Sequence, residues 1–207
     1  LKEKKDLNGT IWPDRILCRL HELDQESHDK RHPKHTVQTV KDYLLTGTVL
    51  SDADFFVDVY EKLEQLKKDI EANRDNDKGL FYNDKNSKKE ESCRDAVVLR
   101  LDDRHGEYLA ITKEKHEANN RVDIHISSKD NKNYQVQVEC KKDKNQHLMS
   151  GIQEQLIKKY LEKKCKYGVY LVFVFEKREA ELLKTLETTI PDDYKDRIKI
   201  LIINCKL

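Results

Sequence analysis

Residues 121–126 read Arg-Val-Asp-Ile-His-Ile, and residues 135–141 read Gln-Val-Gln-Val-Glu-Cys-Lys. Both segments alternate apolar and polar side chains with a period of two, which is typical of a β-strand with one buried face. The eight residues that connect them are rich in Asp and Asn, which tolerate turn conformations. The sequence therefore predicts an antiparallel hairpin at this point in the chain.

The alternation also predicts which side chains share a face of the hairpin. The face toward a core would hold the apolar residues Val122, Ile124, Ile126, Val136, Val138 and Cys140. The opposite face would gather Asp123, Glu139 and Lys141. Two carboxylates and an ammonium on adjacent strands are costly to hold together unless they meet a metal ion or an anion. We therefore expect the functional site on this face.

The first part of the chain predicts helices and little strand. Apolar residues recur at three- and four-residue spacing over residues 11–23 and 36–45. Ser51-Asp52-Ala53-Asp54 is a helix-start signal in front of a third apolar stripe over residues 55–66. Residues 71–89 are rich in Asn, Asp and Lys and predict a loop or linker.

From Ser87 onward the chain predicts an α/β module with a mixed sheet. Ser87 and Glu90 have the spacing of a capping box, so a helix should start there. The remaining predicted elements are a strand over 108–112, the hairpin, a helix over 146–162, an apolar strand over 169–175, a helix over 177–188 and a strand over 198–205. The strand over 169–175 is apolar throughout, which suits a strand covered on both faces.

Composition predicts a soluble protein. No apolar run approaches the roughly 18 to 20 residues that a membrane span needs. The formal net charge is +1, so attraction to nucleic acid would have to come from a local basic face. Five cysteines without CxxC spacing, and no signal peptide, predict a reduced, cytoplasmic protein. The chain begins at Leu1 and its only methionine is Met149, so we expect further sequence upstream.

The pattern resembles the PD-(D/E)XK nuclease superfamily, which has the restriction-endonuclease-like fold. The matching elements are Asp123, then Glu139-Cys140-Lys141 as the E-x-K element, then Gln155-Leu156 and Tyr160-Leu161 on a helix, and a Gly168-Val-Tyr-Leu-Val strand. Val122 departs from the pattern because it stands where the family name implies proline. The resemblance covers residues 87–207, which would form a nuclease domain behind a helical linker or assembly region over residues 1–86.

The polar face of the hairpin suits metal-assisted hydrolysis of a phosphodiester. A Mg²⁺ ion, for which Mn²⁺ can substitute, activates water and polarises the phosphate, and it prefers hard oxygen ligands. Asp123 and Glu139 would be those ligands, with the main-chain carbonyl of Cys140 as a third. Lys141 would hold the attacking water or stabilise the developing anion.

The resemblance implies two more site residues, and each has a structural alternative. Glu90 would complete the acidic site as a metal ligand, with Glu91 as its substitute, or it would only serve the capping box. Gln155 would lie near the metal, or it would be an ordinary polar neighbour on an amphipathic helix. His125 is expected to be a solvated strand residue, and Arg121 to form a salt bridge.

Other candidate constellations carry weaker signals. The histidines and the cysteine near the start of the chain suggest a zinc site, but they have no paired CxxC spacing and Pro33 interrupts their helical spacing. A solvated loop is therefore the better interpretation. Those residues are Cys18, His21, His28, His32 and His35. A basic cluster beside the candidate site would either be solvated or track a nucleic-acid backbone. Its members are Lys141, Lys142, Lys144, Lys158, Lys159, Lys163, Lys164 and Lys166.

Taken together, the resemblance implies a Mg²⁺-dependent endonuclease. DNA is favoured over RNA as its substrate, and the chain would be the C-terminal effector of a larger bacterial antiviral defence protein with upstream regulatory domains. A homo-oligomer is expected as well. Two other classes remain open: a nucleic-acid-binding module with an impaired metal site, and a helical scaffold or oligomerisation domain whose strands are purely structural.

Overall fold

The structure is a computed structural model, and it describes residues 51–72, 79–84, 86–117, 120–163 and 165–206. Side chains are described in the same ranges except over 114–117 and 120–121. The helices predicted over 11–23 and 36–45 lie outside the described residues, and so do the histidine and cysteine residues of the zinc reading.

The described chain alternates helices and strands in the predicted order. It begins with α1 (Asp52–Ala72), the short strands β1 (Tyr82–Asn83) and β2 (Asn86–Ser87), and α2 (Glu90–His105). Strands β3 (Leu109–Glu117), β4 (Asn120–Ser128) and β5 (Gln135–Lys142) follow. The chain continues with a π-helix (Ile152–Leu161), β6 (Tyr167–Val174), α3 (Glu179–Glu187), a 3₁₀ turn (Asp192–Tyr194) and β7 (Ile198–Asn204). The order predicted from Ser87 onward is confirmed.

Five of the strands form one mixed sheet in the order β3-β4-β5-β6-β7. Strands β3, β4 and β5 pair antiparallel, and the predicted hairpin is confirmed by the pairing of Ser127 with Gln135. Strands β5, β6 and β7 pair parallel, with Glu139 opposite Tyr170. The α/β class predicted from the sequence is confirmed. In the described part of the chain, no helix is both long and apolar enough to cross a membrane.

Each face of the sheet carries its own hydrophobic core. Helices α1 and α2 pack on the face that holds Val136 and Val138, while the π-helix and α3 cover the face that holds Tyr170 and Val172. Strand β6 supplies alternate residues to both cores and is buried from Gly168 to Val174. The prediction that this strand is covered on both faces is therefore confirmed.

Helix α1 belongs to the same compact unit as the sheet. Ser51 accepts a hydrogen bond from the Asp54 amide at 3.1 Å, as the helix-start signal predicts. The buried side of the helix joins the first core through Phe55, Phe56, Val59, Leu63, Leu66 and Ile70. All the described residues, from Ser51 onward, fall in this one compact unit.

Two local predictions before the sheet are corrected. Helix α2 begins at Glu90, after an N-cap Lys89 that makes no side-chain cap, so the capping box at Ser87 is wrong. Ser87 lies in β2, where it accepts a hydrogen bond from Lys142 Nζ at 2.9 Å. The tract predicted as a loop contains the β1–β2 hairpin, which turns through Asp84 with a left-handed φ of 53°.

The helix predicted over residues 146–162 also differs from expectation. Its regular part spans Ile152–Leu161 and closes turns between residues five apart, as in the 3.1 Å bond from the Glu162 amide to the Ile157 carbonyl. It packs against β5 and β6. A Cβ at Gly168 would lie 2.8 Å from Leu156 Cδ1, so glycine on β6 lets this helix approach the sheet closely.

Asp143 fixes the end of β5 to the end of β6. Its side chain is fully buried, and its Oδ2 accepts main-chain hydrogen bonds from Phe175 at 2.9 Å, Glu176 at 2.7 Å and Lys177 at 3.0 Å. The Asp143 amide donates to the Phe173 carbonyl at 3.0 Å. The carboxylate thus holds the turn after β6 against the strand that carries Glu139 and Lys141.

Replacing Asp143 by alanine should strongly destabilise the fold. Three main-chain amides, of which that of Phe175 is buried, would lose a charged acceptor, and we expect the free energy of unfolding to fall by about 3 kcal/mol in urea titrations. Asp192→Ala is the matched control, because Asp192 is exposed and its carboxylate pairs with the exposed Lys195, and it should change stability by less than about 0.5 kcal/mol. Equal losses in the two variants would contradict this role of Asp143.

Candidate metal centre

The candidate centre begins where β4 separates from β5. Main-chain pairing of these strands extends to Ile124–Val138, and beyond it the Cys140 amide donates to Asp123 Oδ2 at 2.9 Å. Val122 packs in the second core, whereas Ile124 lies in the first. The prediction that Val122 shares a face with Ile124 is therefore wrong, because the strand turns away from β5 at Asp123.

Glu139 and Lys141 lie on the same face of β5, as their spacing predicts, and both are buried. Glu139 is 3% exposed and Lys141 is 5% exposed. Lys141 Nζ donates to Glu139 Oε1 at 2.5 Å and to the Cys140 carbonyl at 3.0 Å. The face predicted to be polar is thus enclosed between the sheet and the helix that follows it, and its charges are paired inside the protein.

Four buried side-chain oxygens have no hydrogen-bond partner among the described residues: Gln137 Oε1, Glu139 Oε2, Asp143 Oδ1 and Gln155 Oε1. Two of them, Glu139 Oε2 and Gln155 Oε1, belong to residues that were predicted to form the site. Gln155 lies on the π-helix, which packs across β5. A buried polar oxygen without a partner is destabilising unless a cation or a donor satisfies it. These two oxygens are the strongest sign that the region accommodates something beyond the protein itself.

Tyr160 is a site residue that the sequence analysis placed only in the apolar stripe of its helix. Its hydroxyl forms a hydrogen bond with Glu139, and burial, followed by the charges of Glu139 and Asp123, raises the pKa of Tyr160. In an α-helix, residues 155 and 160 would point roughly 140° apart. In a π-helix, whose hydrogen bonds join residues five apart, the side chains of residues 155 and 160 lie closer to one side of the helix. A search for α-helical periodicity in the sequence does not reveal this arrangement.

Glu90 lies beside the centre but is turned toward the loop after β5. Its Oε2 accepts hydrogen bonds from the Lys142 amide at 2.8 Å and from Asn145 Nδ2 at 2.9 Å. Its Oε1 is 3.9 Å from Lys141 Nζ. Glu91, the predicted substitute, is exposed. An open pocket of about 260 Å³ is lined by Glu90, Lys142, Lys144 and Asn145.

Arg94 is a second residue that the sequence analysis missed. It is 4% exposed, and its guanidinium lies with Nη1 3.5 Å from Asp123 Oδ1 and Nη2 3.1 Å from Asp95 Oδ1. Asp123 is therefore held from two sides, by the Cys140 amide of β5 and by an arginine of α2. Its position next to Cys93, on the inward side of the predicted helix, was the available signal.

Burial and charge set the protonation of the two central groups. Burial, followed by the charge of Asp123, raises the pKa of Glu139 to about 7, although Lys141 partly offsets this. Burial by itself would lower the pKa of Lys141, but Glu139, Asp123 and Glu90 together outweigh it and raise that pKa. Lys141 is consequently an ammonium at neutral pH, and Glu139 is poised between its two forms.

The donor set fits a hard divalent ion better than zinc. Among the described residues, no three His, Cys, Asp or Glu side chains lie close enough together to hold a metal ion. If an ion binds here, Asp123 and Glu139 would supply two carboxylates, and the Cys140 carbonyl and the Gln155 amide would supply neutral oxygens. Mg²⁺ keeps several waters and needs only one or two carboxylates, so this set is sufficient for it, whereas a structural zinc site needs four protein ligands.

His125 differs from its prediction as a solvated strand residue. It is 4% exposed, and its Nδ1 lies 2.9 Å from Nε2 of Gln137, which is also buried. The pair continues the polar row of β5 away from Glu139. The side chain of Arg121 lies outside the described residues, so its expected salt bridge stays a prediction.

Comparison with known proteins identifies one family. Residues 55–177 match the model of a family described as a domain of unknown function, DUF8371. No curated protein and no solved structure matches the chain. The matched segment extends from α1 past β6 and contains every residue of the candidate centre.

The buried carboxyl of Glu139 predicts a pH dependence of the metal-free protein. Its pKa of about 7 in the fold lies above the ordinary 4.5, so the folded state binds more protons between these values. In EDTA, the stabilisation present below pH 4.5 should be lost as the pH rises through 7, by up to about 3 kcal/mol, since a change of one in pKa corresponds to about 1.4 kcal/mol.

Urea titrations at several pH values test this, with Glu139→Gln expected to remove that part of the dependence. Glu154→Gln changes an exposed carboxylate that pairs with Lys158, and it should keep the wild-type slope. The same slope in wild type and Glu139→Gln would contradict the assignment.

Proposed function

The chain belongs to the DUF8371 family, and we propose that it is a Mg²⁺-dependent endonuclease that hydrolyses phosphodiester bonds of DNA. The observation that carries the proposal is the buried oxygen Glu139 Oε2, which has no partner among the described residues. The same carboxylate pairs with the buried Lys141 and lies within the electrostatic reach of Asp123, and the helix that carries Gln155 packs on its strand. The resemblance of these residues to the PD-(D/E)XK pattern supports the same chemistry.

Each residue of the centre has a role in the proposed reaction. Asp123 and Glu139 would hold the ion, with the Cys140 carbonyl and Gln155 as neutral donors. When bound, the ion would polarise the phosphate and lower the pKa of a water molecule. Lys141 would orient that water or stabilise the charge that develops on the phosphate.

Two further residues would position these groups. Arg94 and the Cys140 amide hold the two oxygens of Asp123, so that this carboxylate keeps one orientation. The Tyr160 hydroxyl does the same for Glu139. When catalytic groups are already oriented before the reaction, the free energy of reorganisation during the reaction is smaller.

Only part of the predicted basic cluster is available to a nucleic-acid backbone. Three of its lysines pair with carboxylates: Lys144 with Glu176, Lys158 with Glu154, and Lys166 with Asp52. Lys142 Nζ donates to Ser87 Oγ and to the Lys88 carbonyl. Lys159 and Lys163, at the end of the π-helix that covers the centre, form no ion pair with the described residues. We propose that these two contact phosphates.

The biological setting of the proposal rests on the resemblance alone. It supports a cytoplasmic effector within a larger bacterial antiviral defence protein, with upstream regulatory domains and a homo-oligomeric assembly. Substrate specificity and the choice of DNA over RNA rest on the same ground.

One observation favours a second candidate function, a nucleic-acid-binding module with an impaired metal site. Within the described residues no third acidic side chain joins Asp123 and Glu139, since Glu90 is turned toward Asn145. Such a module would bind duplex through its lysines and stay inert with divalent metal.

Cleavage of supercoiled plasmid with Mg²⁺ or Mn²⁺ separates the two candidates. We expect wild type to nick or linearise the plasmid, Glu139→Ala to lose cleavage, and Lys141→Ala to lose at least about a hundredfold in rate. Glu154→Ala, an exposed change on the π-helix, should cleave like wild type. Metal-independent binding of duplex without cleavage would overturn the nuclease proposal in favour of the binding module.

Salt-dependent binding tests the phosphate contacts. In EDTA, Lys159→Gln and Lys163→Gln should each weaken duplex binding for any sequence and reduce the slope of log K against log salt by about 1. Lys158→Gln is the matched control on the same helix, and its effect should be smaller because Glu154 lies 2.6 Å from Lys158 Nζ. Equal effects of all three substitutions would contradict the assignment of Lys159 and Lys163.

A further inference from the structure

The ammonium of Lys141 lies among the oxygens that would hold the metal ion. Its Nζ is 2.5 Å from Glu139 Oε1 and 3.0 Å from the Cys140 carbonyl. Both groups are assigned to the ion in the proposed function. One positive charge therefore already neutralises the buried carboxylate of Glu139.

This placement has an energetic reason. Glu139 is 3% exposed and shares the centre with Asp123, so removing its solvent is unfavourable unless a cation lies close. Lys141 provides that cation from the same strand. A divalent ion at these oxygens would repel an ammonium in contact with them, since two like charges at this separation interact strongly inside a protein.

Glu90 offers the displaced ammonium another partner. Its Oε1 is 3.9 Å from Lys141 Nζ, and Glu90 also lines the open pocket. A small rotation of the lysine side chain would bring the two into contact. Lys141 would then stay in the centre, where the proposed reaction needs it.

We propose that Lys141 is the resident cation of the metal-free centre and that the divalent ion must displace it toward Glu90. The inference rests on the proposed function, because it takes Glu139 and the Cys140 carbonyl as metal ligands. It assigns to Lys141 a role separate from catalysis: the lysine lowers the affinity of the centre for metal. Glu90 then forms an ion pair with the displaced ammonium and is not a ligand of the ion.

Calorimetric titration of the whole chain with Mn²⁺ tests the competition. Lys141→Met, whose unbranched side chain is one atom shorter and carries no charge, should bind Mn²⁺ about tenfold tighter or more than wild type while losing DNA cleavage. Lys142→Met is the matched control, because Lys142 Nζ donates to Ser87 Oγ and the Lys88 carbonyl, and it should change the affinity by about twofold at most. Glu139→Gln should abolish binding.

Thermal unfolding gives an independent readout that also detects a folding defect. Without metal, Lys141→Met should unfold at a lower temperature than wild type, because Glu139 loses its counter-ion. Saturating Mn²⁺ should raise the melting temperature of Lys141→Met more than that of wild type. An unchanged or weaker Mn²⁺ affinity in a folded Lys141→Met would overturn the inference.

A double-mutant cycle decides the role of Glu90. In the wild-type background, Glu90→Gln should weaken Mn²⁺ binding several-fold because the displaced ammonium of Lys141 loses its ion-pair partner. In the Lys141→Met background, Glu90→Gln should have no effect. If Glu90→Gln weakened Mn²⁺ binding equally in both backgrounds, Glu90 would be a ligand of the ion, and its proposed pairing with the displaced ammonium would be overturned.

The outcomes also separate this inference from the proposed function. Tighter Mn²⁺ binding by Lys141→Met in a chain that never cleaves DNA would support the competition and overturn the nuclease. Mn²⁺-dependent cleavage by wild type, with no gain in affinity in Lys141→Met, would overturn the competition alone. Absence of Mn²⁺ binding in every variant would overturn both.

Discussion

Strand β5 lies in the middle of the sheet and is covered on both faces, yet one of those faces carries Gln137, Glu139 and Lys141. Polar and charged groups in such a place must find partners inside the protein. One partner lies on the strand itself, since Lys141 donates a hydrogen bond to Glu139. The others come from neighbouring elements: Tyr160 on the π-helix contacts Glu139, and His125 on β4 pairs with Gln137. The chemistry of the candidate centre follows from this constraint.

The ends of the strands make the centre possible. Beyond Ile124–Val138, β4 leaves β5, so that the Cys140 amide meets the side chain of Asp123. At the other end, Asp143 ties the turn after β6 to β5 through three amides. The charged face is therefore bounded by the Asp123 contact at one end and the Asp143 contacts at the other, which keeps Glu139 and Lys141 on a rigid part of the fold.

Buried charge also links stability to the proposed function. Glu139 has one oxygen without a partner among the described residues, and burial raises its pKa. A centre of this kind is a local weakness in the free protein that a bound cation would relieve. Because Lys141 already provides one positive charge, the lysine and a bound ion would compete for the same carboxylate, and the proposed reaction would require the lysine to move.

The sequence by itself determined the order of helices and strands, the hairpin and the side of β5 on which Glu139 and Lys141 lie. These follow from periodicities of two and of three to four, which are local properties of the chain. Only the tertiary structure decided that Arg94 holds Asp123, that Tyr160 reaches Glu139, and that Glu90 turns to the Lys142 amide. Those contacts depend on where one strand leaves its neighbour and on how the π-helix winds, and both are set by packing between elements far apart in sequence.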